Sequence, residues 1–343
     1  MLLDQFHPKS QLVTKTTAIE KPRFRVIDVH NHLGIEFGGG WINRPINELV
    51  DLLDLAGVKL YVDLDGGWGE EVLADHLAIL RQYPERFQVF GGVTWGKWKA
   101  IGDDFPAWAA ERLRIQARMG ARGLKIWKNF GLTVRDQHDE LVSVDDRRLH
   151  PIWKTAAELN LPVMIHVADP VAFFEPLDET NERWEELGSN PEWHFPSPRF
   201  PSFSAIIEQF SNLVRDNRET TFIGAHVGCY AENLAWVAGL IDACPNFYID
   251  ISARIGELGR QPYSSRKFIL DHADRILFGS DFGPDLDAYR MAYRFLETDD
   301  EYFNYNPSEV PQQGRWYVYG IYLPDEVLKK IYSSNAEKVL HLF

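Results

Sequence analysis

Val26-Ile-Asp-Val-His30-Asn-His32 is a short apolar run that closes on two histidines. Three later runs close in the same manner: Pro162-Val-Met-Ile-His166, Phe222-Ile-Gly-Ala-His226 and Ile276-Leu-Phe-Gly-Ser-Asp281. Each joins strand-forming residues to a metal-ligating side chain at its C-terminal end. Parallel strands in a barrel would carry all four ends to one rim.

Working outward, β-rich runs at 26–32, 58–64, 87–94, 121–127, 162–167, 221–226, 247–252 and 276–281 alternate with stretches of helical period. Eight strand-then-helix repeats predict an α/β fold of the closed (β/α)8 TIM-barrel kind. Two helices have legible ends. Pro45 sits near the first turn of one with Gly57 after its last, and Gly120 stops another that runs from Asp104 to Met119. Long connections after strands 4, 5 and 8, at 128–146, 169–202 and 282–319, are expected to act as lid loops, because barrel active sites lie on the loops after the strands. Trp184, Trp193, Phe195, Phe200, Tyr302, Phe303, Tyr305 and Trp316 would then cover the mouth, or pack on each other or on a second subunit. The expectation is one domain over 1–343, with an N-terminal arm at about 1–23 and C-terminal helices from about 284 to 343.

Composition narrows the partners. A chain of 343 residues with 45% hydrophobic content can bury a barrel-sized core. Its net charge of -14 and lack of any basic run argue against nucleic acid. No segment approaches the roughly 20 apolar residues of a membrane span, and residues 1–22 have no signal-peptide core. Cys229 and Cys244, the only cysteines, fit neither a CxxC motif nor a disulfide framework. A cytoplasmic protein acting on a small molecule, without a nucleic-acid or membrane partner, follows as the expectation; a homo-oligomer is compatible with it.

His30 and His32 are two apart, so on a strand they share a face at about 6.5 Å and can share a cation. His166 and His226 each end a run where a lone histidine would ordinarily be a hydrogen-bonded structural residue. Asp281 closes the eighth strand, next to the first in a closed barrel, and its competing role is a helix N-cap. Imidazoles with a carboxylate suit one Zn2+, with Mn2+, Fe2+ or Co2+ as alternatives. Gly38-Gly39-Gly40-Trp41 and Gly66-Gly67-Trp68-Gly69 read as turns rather than phosphate loops.

These motifs, with the phrases Asp28-Val-His-Asn-His32, Gly224-Ala-His-Val-Gly228 and Phe278-Gly-Ser-Asp-Phe282, resemble the amidohydrolase superfamily over residues 24–283. The wording is similar to the branch holding aminocarboxymuconate-semialdehyde and resorcylate-type decarboxylases and pyrone-dicarboxylate lactonase. The resemblance implies His30, His32, His166 and Asp281 as metal ligands, and His226 as the group that orients or deprotonates the attacking water. Lys125, in Gly123-Leu-Lys-Ile-Trp-Lys128, occupies the strand where binuclear members carry a carboxylated lysine. It could instead bind a substrate carboxylate or form an ion pair, and Lys128 competes for the role. Arg254, after strand 7, could grip a carboxylate in a bidentate fork or pair with an acidic neighbour. The first functional expectation is a metal-dependent hydrolase of an amide, lactone or ester bond, with His226 and Asp281 moving protons. The alternative is a metal-dependent non-oxidative decarboxylase of an aromatic or unsaturated acid.

Overall fold

The computed structural model describes residues 1–343 except 3, 4, 7, 307, 309–311 and 343. Nine short parallel strands follow in chain order: β1 (Val26–Asn31), β2 (Val58–Asp63), β3 (Phe87–Val89), β4 (Gly91–Gly92), β5 (Leu124–Ile126), β6 (Val163–Ile165), β7 (Phe222–Gly224), β8 (Phe247–Asp250) and β9 (Ile276–Leu277). They form two sheets, ordered β1-β2-β3 and β4-β5-β6-β7-β8-β9. Only Phe90 separates β3 from β4, so one expected strand, 87–94, is met as two pieces. The pairing is therefore not one continuous ladder. At the other edge, Val29 N–H donates to Phe278 O at 3.0 Å and Asp281 N–H to His30 O at 2.9 Å, which joins the segment after β9 to β1.

The strands are mainly apolar because both faces are covered. Ile27, Val29, Leu60, Val62, Met164 and Ile223 fall in one buried cluster. Their neighbours Val26, Val58, Tyr61, Val163, Ile165 and Phe222 fall in another, shared with the helices. Helix Ile46–Ala56 follows Pro45 and ends at Gly57, whose φ of 76° is easy only for glycine. Helix Phe105–Met119 likewise ends at Gly120. Both stops are where the sequence placed them.

Most of the rings in the long connections take the second expected course, packing on each other or on neighbouring side chains. Helix Leu286–Glu297, capped by the Asp285 side chain accepting from Ala288 N at 2.8 Å, fills much of 282–319. Asp285, not Asp281, is thus the N-cap. Of the eight aromatic residues expected over the mouth, Trp193 alone lines the cavity described below. Several of the others find rings and guanidinium planes nearer by: Phe195 packs edge-on to Phe200, Tyr302 stacks on Tyr317 at 4.4 Å, and Trp316 lies under Arg260 at 3.8 Å. Among the described residues no helix is long and apolar enough to cross a membrane.

Trp153 tests the layer between helices and strands. It is 1% exposed, packs on Phe130 and Phe222, and its buried indole N–H has no partner among the described residues. Trp153→Ala should lower unfolding free energy by about 3–5 kcal/mol in urea titrations. Trp153→Phe should cost well under half of that, since it keeps most of the ring and removes an unsatisfied donor.

Candidate metal centre and cavity

Parallel pairing brings the C-terminal ends of the strands together, and the polar residues collect there. His30 and His32 leave β1 two residues apart. Each has its Nδ1 held from behind: His30 by Asp250 Oδ2 at 2.9 Å, His32 by Asp65 Oδ1 at 2.8 Å. A carboxylate at Nδ1 keeps the proton there and turns Nε2 inward, the usual arrangement behind a metal-ligating histidine. Both Nε2 atoms face Asp281 Oδ1, at 3.4 Å and 3.2 Å, while Asp281 Oδ2 lies 3.5 Å from His226 Nε2. Ligand atoms of His30, His226 and Asp281 all lie within 4.8 Å of one another.

His166 is beside this group rather than in it. Its ring meets that of His226 edge-on at 4.5 Å. Its Nε2 is 3.2 Å from Asp169 Oδ1 but is not aligned for a hydrogen bond, which leaves a buried nitrogen without a partner. Asp169 is itself claimed by Lys128, with Nζ at 2.6 Å. Lys128 is therefore the ion-paired lysine of the two candidates. Lys125 is 1% exposed, with Nζ 3.4 Å from His30 Nε2 and 4.9 Å from the centre of the Trp127 ring. Neither Lys125 nor Arg254 forms an ion pair among the described residues, so that alternative is not realised for either. Arg254 is buried and donates one hydrogen bond, from Nη1 to the Ala253 carbonyl at 2.8 Å.

Burial governs the titrating groups. It pushes His166 down to about 4 and His226 well below the ordinary imidazole value, helped at His226 by Arg254. Burial also lowers His30, with Lys125 adding to the effect, and brings Lys125 down to about 8. His32 goes the other way: burial opposes its charge, yet its bonds to Asp281 and Asp65 raise it to about 9. Asp281 is held well below the carboxylate range, because His30, His226 and His32 outweigh its burial. Neutral His30, His166 and His226 beside an ionised Asp281 are in the protonation states that a divalent cation requires, and His32 reaches its own by losing a proton. His166 Nε2, without a hydrogen-bond partner among the described residues, adds a further ligand atom. The residues fit a metal ion, held from among His30, His32, His166, His226 and Asp281.

A cavity of about 800 Å³ opens over these groups. One wall is aromatic: Trp127 stacks on Trp68 at 4.0 Å and on His32 at 5.2 Å, with Phe37 5.5 Å from His32. Gly67 permits this packing, since a Cβ there would come within 2.8 Å of Lys125 Cβ and 2.9 Å of Trp127 Nε1. Lys128, Arg183 and Arg254 lie among the remaining lining residues. Sequence reasoning found His30, His32, His166, His226, Asp281, Lys125 and Arg254, and the structure places all of them on this cavity. It missed Asp65, Asp250 and Ser252. Their signal was a period of two at strand ends, in Asp63-Leu-Asp65 and Asp250-Ile-Ser252.

Comparison with known proteins agrees with this geometry. The amidohydrolase family matches residues 27–342, so the chain belongs to that family. No curated protein matches it. Among solved structures it is similar to a 2,6-dihydroxybenzoate decarboxylase from Rhizobium, with TM-score 0.58 and 15% identity over 93% of this chain and 99% of that one. A dihydroxybenzoic acid decarboxylase from Polaromonas sp. JS666, with bound manganese and the inhibitor 2-nitroresorcinol, gives 0.53 and 16% over 93% and 97%. A 5-carboxyvanillate decarboxylase from Novosphingobium aromaticivorans DSM 12444, complexed with manganese and 4-hydroxy-3-methoxy-5-nitrobenzoic acid, gives 0.53 and 14% over 95% and 100%. At such identities the likeness carries the TIM-barrel-like fold alone.

Two measurements bear on the metal centre. Elemental mass spectrometry of purified protein should find about one equivalent of divalent transition metal, sharply reduced by His30→Ala or His32→Ala. An active wild-type protein that is metal-free and indifferent to chelators would exclude the site. Calorimetry in buffers of different ionisation enthalpy should detect a proton released on metal uptake by the apoprotein. His32, raised to about 9, is an imidazolium up to that pH and must lose its Nε2 proton to ligate. The release should disappear, and apparent affinity stop rising with pH, above about pH 9.

Proposed function

We propose that this amidohydrolase-family protein is a metal-dependent, non-oxidative decarboxylase of an aromatic or otherwise conjugated carboxylic acid. In this reading the strands make one closed (β/α)8 barrel in a single cytoplasmic domain, and the connections after its fourth, fifth and eighth strands cover the mouth. One observation carries the proposal: an almost uncommitted, buried guanidinium, Arg254, shares a cavity with the His226–Asp281 pair and a wall of stacked rings. Such a cavity matches a flat acid with a carboxylate to grip and a carbon to protonate. The similar solved structures support the carboxy-lyase over the hydrolase expected first from the sequence, and two of them hold manganese.

His30, His32, His166 and Asp281 would hold one divalent ion, Zn2+ by donor chemistry or Mn2+ by likeness. When bound, the ion supplies a Lewis acid that draws electron density from substrate oxygens. Arg254 donates to the substrate carboxylate, and Lys125 offers a second cation deeper in the cavity. Trp68, Trp127 and Phe37 hold the ring plane. His226 Nε2 takes a proton from solvent, is faced by the Asp281 Oδ2 carboxylate while it carries it, and passes it to the carbon that bears the carboxylate. The C–C bond then breaks, its electron pair returns to the conjugated system, and CO2 leaves. The hydrolytic reading keeps one specific support: a neutral His226 beside Asp281 is also suited to deprotonate water.

Candidate hydroxylated aromatic acids, lactones and amides incubated in D2O and in 18O-labelled water separate the readings. Stoichiometric CO2 with deuterium on the product carbon is expected; 18O incorporation without CO2 would establish hydrolysis instead. With a turned-over acid, Arg254→Ala should raise KM by roughly 10- to 100-fold, as loss of charge-assisted hydrogen bonds of about 1.5–3 kcal/mol implies. His226→Ala should retain most of the metal while kcat falls by on the order of 10²-fold. Loss of the metal in that variant would make His226 a ligand.

A further inference from the structure

Beyond β8 the chain runs Asp250-Ile-Ser-Ala-Arg254, and the middle polar residue belongs to neither the ligand set nor the substrate grip. Ser252 is fully buried. Its Oγ lies 2.5 Å from Asp250 Oδ1, 3.0 Å from His226 Nδ1 and 3.1 Å from His30 Nδ1. A hydroxyl has one proton to give and lone pairs to accept with. Asp250, ionised and without a proton of its own, must receive it. The lone pairs of Oγ then face two imidazoles, each of which has to present an N–H. The Ser252 carbonyl, 3.0 Å from the same His226 nitrogen, makes an identical demand.

We propose that Ser252 is the positioning residue for the proton-transfer histidine: it fixes His226 as the Nδ1–H tautomer, with Nε2 turned to Asp281, and links that ring to Asp250. This rests on the reading of His226 as an acid–base group. The two histidines depend on the hydroxyl unequally. His30 has its own carboxylate oxygen at 2.9 Å. At Nδ1 of His226, Ser252 Oγ is the sole side-chain partner among the described residues. Asp250 Oδ1 also accepts the His226 backbone N–H at 3.0 Å, so one carboxylate oxygen holds the backbone directly and the ring through Ser252. The ligand His30 should therefore tolerate loss of the hydroxyl, whereas His226 would keep only the backbone carbonyl of residue 252 at Nδ1 and lose its link to Asp250.

Ser252→Ala and Ser252→Thr decide this, since threonine restores the hydroxyl. In protein labelled with 15N-histidine, both metal-free and zinc-loaded, the His226 ring is assigned by its loss in His226→Gln. Wild type and Ser252→Thr should show the proton on Nδ1, protected from exchange. In Ser252→Ala that proton should move upfield and exchange at least tenfold faster. A wild-type proton on Nε2, or a spectrum unchanged in Ser252→Ala, overturns the proposal. With a turned-over acid, Ser252→Ala should lower kcat about tenfold or more at unchanged metal content and near-constant KM, and Ser252→Thr should recover most of it. Equal kcat losses in both variants would assign Ser252 to packing instead. If His226→Ala turns over normally, the acid–base reading fails, while the ring spectra still decide the Ser252 link.

Discussion

The buried carboxylate of Asp28 is the constraint on which the site depends. It accepts from Ser280 N at 3.0 Å, Ser280 Oγ at 2.6 Å and Tyr289 OH at 2.7 Å, and so ties the segment after β9 to the middle of β1. Burial pushes its pKa up to about 6, and the same three donors restrain that rise. The next residue along, Asp281, then donates its N–H to His30 O. The two ends of the sheet order are thereby brought within hydrogen-bond reach, and Asp281 is delivered to three imidazoles. Without this join, the histidines at the end of β1 and the carboxylate after β9 would stand at opposite ends of the strand sequence.

Behind the inward-facing imidazoles lies a second layer of acids, and it explains why so acidic a site stays intact. Asp250 serves His30, Asp65 serves His32, and Asp65 Oδ2 also accepts from Leu33 N and Gly34 N at 2.9 Å and 2.6 Å. Each buried carboxylate thus has its lone pairs occupied, without which its desolvation would be costly. The arrangement divides labour by depth. Outer carboxylates orient rings, inner nitrogen atoms face the cavity, and the cations Arg254 and Lys125 remain free to meet an anion.

Much of this was readable because the signals were local. Strand-forming runs ending in His or Asp located β1, β6, β7 and β9 and their functional ends, and Gly57 and Gly120 marked helix stops through their own backbone chemistry. What escaped was set by contacts between distant segments. Asp250 reaches His30 across 220 positions and Asp65 reaches His32 across 33, and the period of two that marks them at strand ends does not show which histidine each will meet. The fate of Phe195, Tyr302 and Trp316 was hidden for the same reason, since a ring in a long connection packs on whatever surface tertiary structure offers first. The sequence grouping set His226 apart from the ligands, and the fold brings its Nε2 as near to Asp281 as that of His30, at 3.5 Å against 3.4 Å.

Backbone strain shows where the fold gives way to chemistry. His226, Val227, Ala253 and Asp281 all have positive φ, between 50° and 61°, although none is glycine and Val227 is β-branched. Such residues cost of order 1–3 kcal/mol each and persist only where surrounding bonds over-determine them. Here the bonds are identifiable: Asp250 Oδ1 holds His226 N, Asp281 N is held by His30 O, and the Ala253 carbonyl receives both Arg254 Nη1 and Gln313 Nε2. All four positions follow the ends of β7, β8 or β9, at the point where continuing as a strand would have alternated the side chains away from the cavity. The left-handed turn is what lets His226 and Asp281 face each other across 3.5 Å. Stability given up at these turns is offset by bonds from residues of the site itself: the Asp250 carboxylate that orients His30 also holds the His226 backbone, and the His30 carbonyl holds that of Asp281.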